Sequence, residues 1–478
     1  MNETIERRPA ADMGERFADT RFLRNGGLFF VPDLIWIVFA IATVLVPSPK
    51  QALLCIAALS VAWTSTTVKR AGGPYLLPSS VVHLASMVFV GFASYYLSIL
   101  GSVTSPDKLR VTAMILFSAS VVMEIVRSTL LLRWRVVWTG PGPGRRPFRE
   151  SSPRHFLAKA VLLLAIARLP FMIALNSELA NAIGLVGLFM VALAGIGMRG
   201  RVRWGGDLLL VIGSLSLTIV WVALVFTGGG RLTVAGLGIA IALIWNVNKP
   251  SRWFKGLILL AVPIFMIAAG INRADLIESK YGVTEEGGLV SSGAGLYSVY
   301  DPLDRFSTIV LEPGFPGGES IGPRYGATAI NALMMPIPRS MWKGKPVGFG
   351  SEVTALMAPQ MVSIGQSFSV LSFGEGYANF GWAGVALVPL GFGWLMAALD
   401  RRHANLVNQP FTTSDDWWRM VALACLINSL GDLYWGGLFT FYTRGGMAFL
   451  ITIVVWKLSR GRVVTASIPS ELQRQATG

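Results

Sequence analysis

The sequence predicts an all-α polytopic membrane protein with about twelve transmembrane helices and one long outer loop that carries short helices. Three observations predict it. Hydrophobic residues make up 53% of the 478-residue chain and charged residues only 14%, against about a quarter charged in a soluble domain. Apolar runs of bilayer-spanning length recur along the chain. Between them, Lys and Arg concentrate on alternate connections, as the positive-inside rule requires.

Taken in order, residues 1–28 are polar and hold no short apolar core with a small-residue cleavage site. No signal peptide is expected, and the first span should itself direct insertion. Residues 29–271 hold nine apolar runs, near 29–46, 51–68, 80–101, 109–132, 156–175, 178–198, 207–227, 231–248 and 254–271. Residues 380–457 hold three more, near 380–399, 417–437 and 440–457, before a second polar tail at 458–478. With the N-terminus cytoplasmic, the inner segments hold 26 Lys and Arg and the short outer loops four, Lys50, Lys108, Arg110 and Arg231. That asymmetry predicts both termini inside. It also accounts for the net charge of +15 without nucleic acid. Cys55 and Cys425 fall within apolar runs, so no disulfide framework is implied.

The same register puts residues 272–379 outside. This loop holds seven basic and ten acidic residues, and a connection of that length is expected to be functional. Its first half, with GGLVSSGAG at 287–295 and EPGFPGGES at 312–320, reads as flexible. Its second half, from Arg324 to Gly381, alternates short apolar pieces with charges, prolines and glycines. Such a stretch suits short helices at a membrane surface or in a cavity, where irregular backbone is satisfied by protein and water.

Two elements there, PxPRxxWxxKP from Pro336 to Pro346 and GEGYANFGWAG from Gly374 to Gly384, together with the topology, resemble the O-antigen polymerases. These are Wzy-type oligosaccharide repeat-unit polymerases, related to the O-antigen ligases. The resemblance covers the topology of the whole chain, and residues only at about 324–385 and GGGR at 228–231. It implies a multi-span, GT-C-like, metal-independent glycosyltransferase of the bacterial inner membrane, acting on undecaprenyl-diphosphate-linked oligosaccharide as donor and acceptor. A chain-length regulator and a flippase of the same pathway are the partners it implies, besides the bilayer. No cofactor is expected.

Such a reaction breaks a sugar–diphosphate bond and joins the sugar to an acceptor hydroxyl. Charge builds on the departing diphosphate, which calls for Arg forks, and the hydroxyl must give up a proton to a base. His83, His155 and His403 all fall on the inner side, so the base should be a carboxylate. Glu375, in Gly-Glu-Gly just ahead of the tenth span, is the first choice; the competing reading is a carboxylate that caps a helix or braces a loop. Asp301, Asp304, Glu319 and Glu352 are the other loop carboxylates considered, for which plain solvation is the ordinary reading.

The candidate substrate cations divide by depth. Arg231 follows three glycines and opens the eighth span, where free N–H groups attract phosphate. Arg168 and Arg444 lie in the outer halves of the fifth and twelfth spans, where a buried cation needs a partner or a cavity; Asp432 is placed to neutralise either. Arg324, Arg339 and Lys345 come from the loop, with Arg305 as an addition. Trp342, Tyr377 and Trp382 offer faces for sugar stacking or belong to the interfacial aromatic belt. Glu124 and Arg127 read as a helix-face pair near the inner surface. No metal constellation, P-loop or dinucleotide fingerprint is present in the sequence. Two alternatives stand beside the polymerase: an O-antigen ligase, against which the missing outer-face histidine counts, and a lipid-linked oligosaccharide flippase, which would line the middle of many spans with charge.

Overall fold

The computed structural model describes residues 31–102, 104–139, 153–175, 177–198, 206–225, 231–248, 250–271, 294–311, 323–335, 337, 341–345, 347–362, 367–409 and 413–460. Proline opens several helices, because the first helical position has no use for an N–H. After α1 (Val31–Ala42), Pro49 starts α2 (Pro49–Arg70). The most enclosed span, α3 (Ser79–Leu100), carries a π turn at Met87–Phe92. Pro106 and Pro153 then start α4 (Pro106–Arg133) and α5 (Pro153–Ile166). Next come α6 (Pro170–Leu175), α7 (Ser177–Met198), α8 (Gly206–Val225), α9 (Arg231–Asn248) and α10 (Arg252–Ile271).

Three shorter helices follow, α11 (Ala294–Leu311), α12 (Ala327–Leu333) and α13 (Phe349–Met357). The chain closes with α14 (Leu371–Asn408), α15 (Ser414–Asn428) and the helical run α16 (Leu430–Ser459). Among the described residues, six helical runs are long and apolar enough to cross a membrane: α2, α3, α4, α14, α16 and Ser177–Gly195 of α7. The protein is a largely helical, polytopic membrane protein with several apolar spans.

Two expectations about continuity change. The run at 156–175 is not one helix. It breaks at residues 167–169, because Pro170 disfavours helical backbone at the residue before it, and Arg168 sits in that break. Nor is the first half of the long loop simply flexible. Although most of its two glycine-rich stretches lies outside the described residues, the segment between them is α11, packed against α3, α4, α10 and α14. Asp304 anchors it by accepting the Thr104 N–H at 3.0 Å, and Ser307 accepts the Thr112 hydroxyl at 2.9 Å.

α4 runs against α14, α2 against α3, α5 against α7 and α9 against α15. One end of this bundle is closed by a buried charge network. Arg127 on α4 donates through Nε and Nη2 to both oxygens of Glu124, at 2.6 and 2.7 Å, and through Nη1 to Asp400 on α14 at 2.6 Å. The other Asp400 oxygen accepts the Ser79 N–H that starts α3, at 3.0 Å, and Glu124 also meets His83 Nε2 at 3.0 Å. The pair expected on the face of one helix is therefore the centre of a three-helix clamp. Beside it, Lys255 donates to the carbonyls of Val68, Ala71 and Gly73, and Asn246 takes the Leu76 N–H. These bonds satisfy the connection between α2 and α3, whose Tyr75, Leu76 and Leu77 are buried.

Removing one member of a buried ion pair strands its partner in low dielectric, at a cost of about 3–5 kcal/mol. Arg127→Met is expected to lose stability on that scale in mixed lipid–detergent micelles. A change below about 1 kcal/mol, the ceiling for an exposed pair, would show that the network is not needed to hold α3, α4 and α14 together.

Candidate functional site

The opposite end of the bundle is built from two chain reversals. In α14, Phe380 (φ −140°) and Gly381 (φ 60°) leave helical geometry, so residues 371–379 fold back on 382–408. The two legs touch backbone to backbone. A Cβ on Gly376 would come within 2.9 Å of the Gly384 carbonyl, and one on Gly384 would run into Gly376. This contact explains the glycines of GEGYANFGWAG. In α16, Gly437 (φ 76°, ψ −165°) makes the second reversal. Gly381 and Asp400 are nineteen residues apart along α14, roughly 28 Å of helix at 1.5 Å per residue. The hairpins and the charge network thus stand about a bilayer core apart.

Glu375 joins the two reversals. Its Oε2 accepts the Leu438 N–H at 2.7 Å, at the start of the return leg of α16, where unpaired N–H groups and the helix dipole favour a carboxylate. A Cβ on Gly437 would collide with that carboxylate. The Thr328 hydroxyl lies alongside, while Oε1 is buried without a hydrogen-bond partner among the described residues. Glu375 therefore lies ahead of the span that follows Gly381, as expected, but in a helical leg and not in irregular loop. It is a buried helical carboxylate that caps another helix, its Oε1 without a hydrogen-bond partner among the described residues.

The surrounding backbone is unusual. Tyr325 (φ 47°) and Leu371 (φ 59°) are non-glycine residues in left-handed conformation, next to Gly326 (φ 86°), each non-glycine case costing about 1–3 kcal/mol. Hydrogen bonds over-determine them. Arg324 N and Tyr325 N donate to the carbonyls of Ala378 and Asn379 at 2.9 and 3.1 Å, and Gly326 N to Asn379 Oδ1 at 2.9 Å. Asn379 Nδ2 in turn donates to Thr328 Oγ1 and to the Glu375 carbonyl, at 2.7 and 2.8 Å. Ser369 and Ser372 donate to the Trp435 and Leu433 carbonyls of α16.

The cations fare differently. Arg444, in a π turn at Tyr442–Gly446, pairs with buried Asp432 at 2.6 Å across the second hairpin; of its two possible counter-ions, Asp432 takes Arg444 and not Arg168. The other Asp432 oxygen has no hydrogen-bond partner among the described residues. Arg168 instead stands 5.7 Å over the Trp221 ring and reaches the Trp221 carbonyl at 3.4 Å. Arg324 lies 2.8 Å from Glu352, half-exposed, and burial lifts the Glu352 carboxyl above the usual range against the pull of Arg324.

Two expected substrate cations serve the fold. Lys345 is buried and donates to the carbonyls of Met335 and Ile337 at 2.6 and 2.9 Å. Arg305 is buried against Asp301 at 2.6 Å and lies over the Phe368 ring. Arg231 opens α9, as expected, but its side chain lies outside the described residues, as do Arg339 and Glu319. Tyr377 packs edge-on to Trp382, with centroids 5.8 Å apart, and Trp342 is partly exposed.

Sequence reasoning missed Asp400, His83, Lys255 and Asn246, because their partners lie 41 to 321 residues away. It also missed Gly437 as the partner of Glu375; the pair Gly436–Gly437 within an apolar run was the available signal. Among the described residues no group of three or more His, Cys, Asp or Glu is placed to hold a metal. Comparison with protein-family models, curated proteins and solved structures yields no match.

The hairpin geometry is open to a direct test. Gly437→Ala would force a Cβ into the Glu375 carboxylate at positive φ, whereas a Cβ on Gly391 meets nothing within 4 Å. Gly437→Ala is expected to lower the midpoint of thermal unfolding in detergent, and Gly391→Ala to leave it unchanged. Equal midpoints would sink the assignment of Gly437 as the obligatory turn.

Proposed function

We propose that the chain polymerises undecaprenyl-diphosphate-linked repeat units of O-antigen or another surface polysaccharide by glycosyl transfer at the outer face of the bacterial inner membrane. In this reading the chain has twelve spans, GT-C-like architecture and both termini in the cytoplasm, so the hairpin end faces outward. The observation that carries it is the buried Glu375 carboxylate, with one oxygen fixed on Leu438 and the other without a hydrogen-bond partner among the described residues. A base must hold its position while keeping a lone pair for the incoming proton. Glu375 does both.

The acceptor sugar hydroxyl gives its proton to Glu375 Oε1 as its oxygen attacks the anomeric carbon of the donor. The bond from that carbon to the diphosphate oxygen breaks, and the electron pair leaves on the diphosphate. Arg444, held by Asp432, and Arg324, which balances Glu352, supply positive charge at the same end, with Arg168 further along the bundle. Arg339 and Arg231 complete the set proposed from sequence.

The charge distribution favours an enzyme over a flippase. Glu124, Arg127 and Asp400 are buried within spans, but they are tied to each other at one end, the inner end in this reading, instead of lining the middle of many spans. His83 and His403 belong to that same end, His403 accepting from Trp138 at 3.4 Å, which leaves the outer site without the histidine expected of a ligase.

Glu375→Gln separates chemistry from capping. An amide oxygen still accepts the Leu438 N–H but takes no proton, so polymerisation by purified protein supplied with lipid-linked repeat units should fall by about a hundredfold or more while folding is retained. Glu375→Asp, one methylene short of Leu438, should keep part of the activity and lose stability. A wild-type rate in Glu375→Gln would remove the base assignment. A deletion strain with full-length polymer on lipid-linked carrier, or with single units trapped inside, would remove the polymerase itself.

A further inference from the structure

Among the described residues, one face of α12 has no protein against it. Thr328 and Ala332 are buried, on the side of Asn379 and Glu375, whereas Ile330 and Leu333 are 56% and 65% exposed, with exposed Met334 following. Tyr325, 78% exposed, and Phe380, 53% exposed, enlarge this apolar patch. They belong to one surface, since the Phe380 ring lies 3.7 Å from where a Cβ on Gly326 would stand.

The patch is continuous with a lipid-facing stripe. Below Phe380, the exposed side chains on α14 are Leu387, Leu390 and Trp394, whose spacing of three and four puts them on one face of a span. Trp382, half-exposed, stands where that stripe meets the hairpin, the level at which aromatic rings collect at a membrane–water boundary. On its other flank α12 packs on α16 and on the turn that carries Arg444. A short helix at the end of the spans, apolar outward and polar inward, has the distribution of an interfacial helix. Water would leave this surface unsatisfied, and its continuity with the α14 stripe selects lipid as the occupant.

We propose that the exposed face of α12, with Tyr325 and Phe380, is seated in the interfacial layer of the bilayer, so that α12 stands between the lipid leaflet and the Glu375 carboxylate. The assignment does not depend on the glycosyl-transfer reading. Its consequence is lateral access: a lipid-borne molecule meets the carboxylate by passing α12, and the leaflet itself helps hold Thr328 and Asn379 in place.

The unmodified protein provides the first test. Full-length chain is reconstituted in phosphatidylethanolamine–phosphatidylglycerol vesicles containing a phospholipid with a diazirine next to its headgroup, irradiated and digested with trypsin. Cleavage after Arg324 and Arg339 releases the α12 peptide, which is expected to carry lipid adducts. Labelling of the α14 stripe without any on this peptide overturns the proposal.

The second test attaches an environment-sensitive fluorophore to Ile330→Cys or Leu333→Cys in a Cys55→Ser, Cys425→Ala background. Emission is expected to be lost to phospholipids spin-labelled near the carbonyl and to survive aqueous iodide. Loss to iodide with none to the labelled lipid would place the face in water. Protection from both would mean that protein covers it, a second copy or another chain, and either result excludes lipid seating.

Discussion

A carboxylate buried at the edge of a membrane is tolerable only if something replaces the water it has lost. For Glu375 that replacement is the Leu438 N–H, the leading donor of a helix that begins there because Gly437 reverses the chain. The dependence is mutual. Without the glycine there is no room for the carboxylate, and without the carboxylate the new helix starts with an unmet donor in a place where unmet donors are expensive. The pleated-back first turn of α14, the serines that hold it to α16 and the Asn379 bridge to α12 all serve to bring this one acceptor to that one donor. A single 2.7 Å bond thus ties together two segments 63 residues apart in sequence.

The two ends of the bundle treat charge in opposite ways. At the Arg127 end each ionic group is answered. The guanidinium engages Glu124 with two nitrogens and Asp400 with the third, and the remaining Asp400 oxygen caps α3. Such closure is what a low-dielectric interior demands, and it rigidifies. At the hairpin end, Glu375 Oε1 and Asp432 Oδ2 are buried without hydrogen bonds among the described residues, and Tyr325 and Leu371 hold strained backbone. Among the described residues the Arg127 end also has buried atoms without partners, His83 Nδ1 and His403 Nε2, and a left-handed residue, Arg135 (φ 53°), so the difference between the ends lies in their carboxylates.

Much of the helical scaffold was legible because lipid simplifies the code: runs of apolar residues become helices, and prolines and glycines mark where they start or turn. The Glu375 region stood out for the same reason, as charge and glycine embedded in apolar sequence. What could not be read was pairing. Lys345 and Arg305 look like loop cations, yet one satisfies the carbonyls of Met335 and Ile337 and the other neutralises Asp301 one turn away. Asp400 sits beside Arg401 and Arg402 in the sequence, which made it resemble part of an ordinary basic connection. Its true partner is 273 residues earlier. The break at Arg168 was in principle visible, since Leu169 precedes a proline, but the apolar run carried on past it and masked the interruption.

Both reversals rest on glycine at positive φ, and both place a polar group against backbone: Asn379 next to Gly381, Glu375 against Gly437. Spans connected by ordinary loops leave every backbone group either in helix or in water, and these two turns do not. Irregular backbone at the boundary is tolerated where it lines something polar. Here it lines the Glu375 carboxylate, whose Oε1 has no hydrogen-bond partner among the described residues, while Arg444 and Arg324 are balanced by Asp432 and Glu352. A cation paired to Glu375 would quench it as a base, and a cation without an acid would be too costly to bury. Asp432 and Glu352 answer the two arginines, and a helix N-terminus answers Glu375, so each of these acids has its own counterpart.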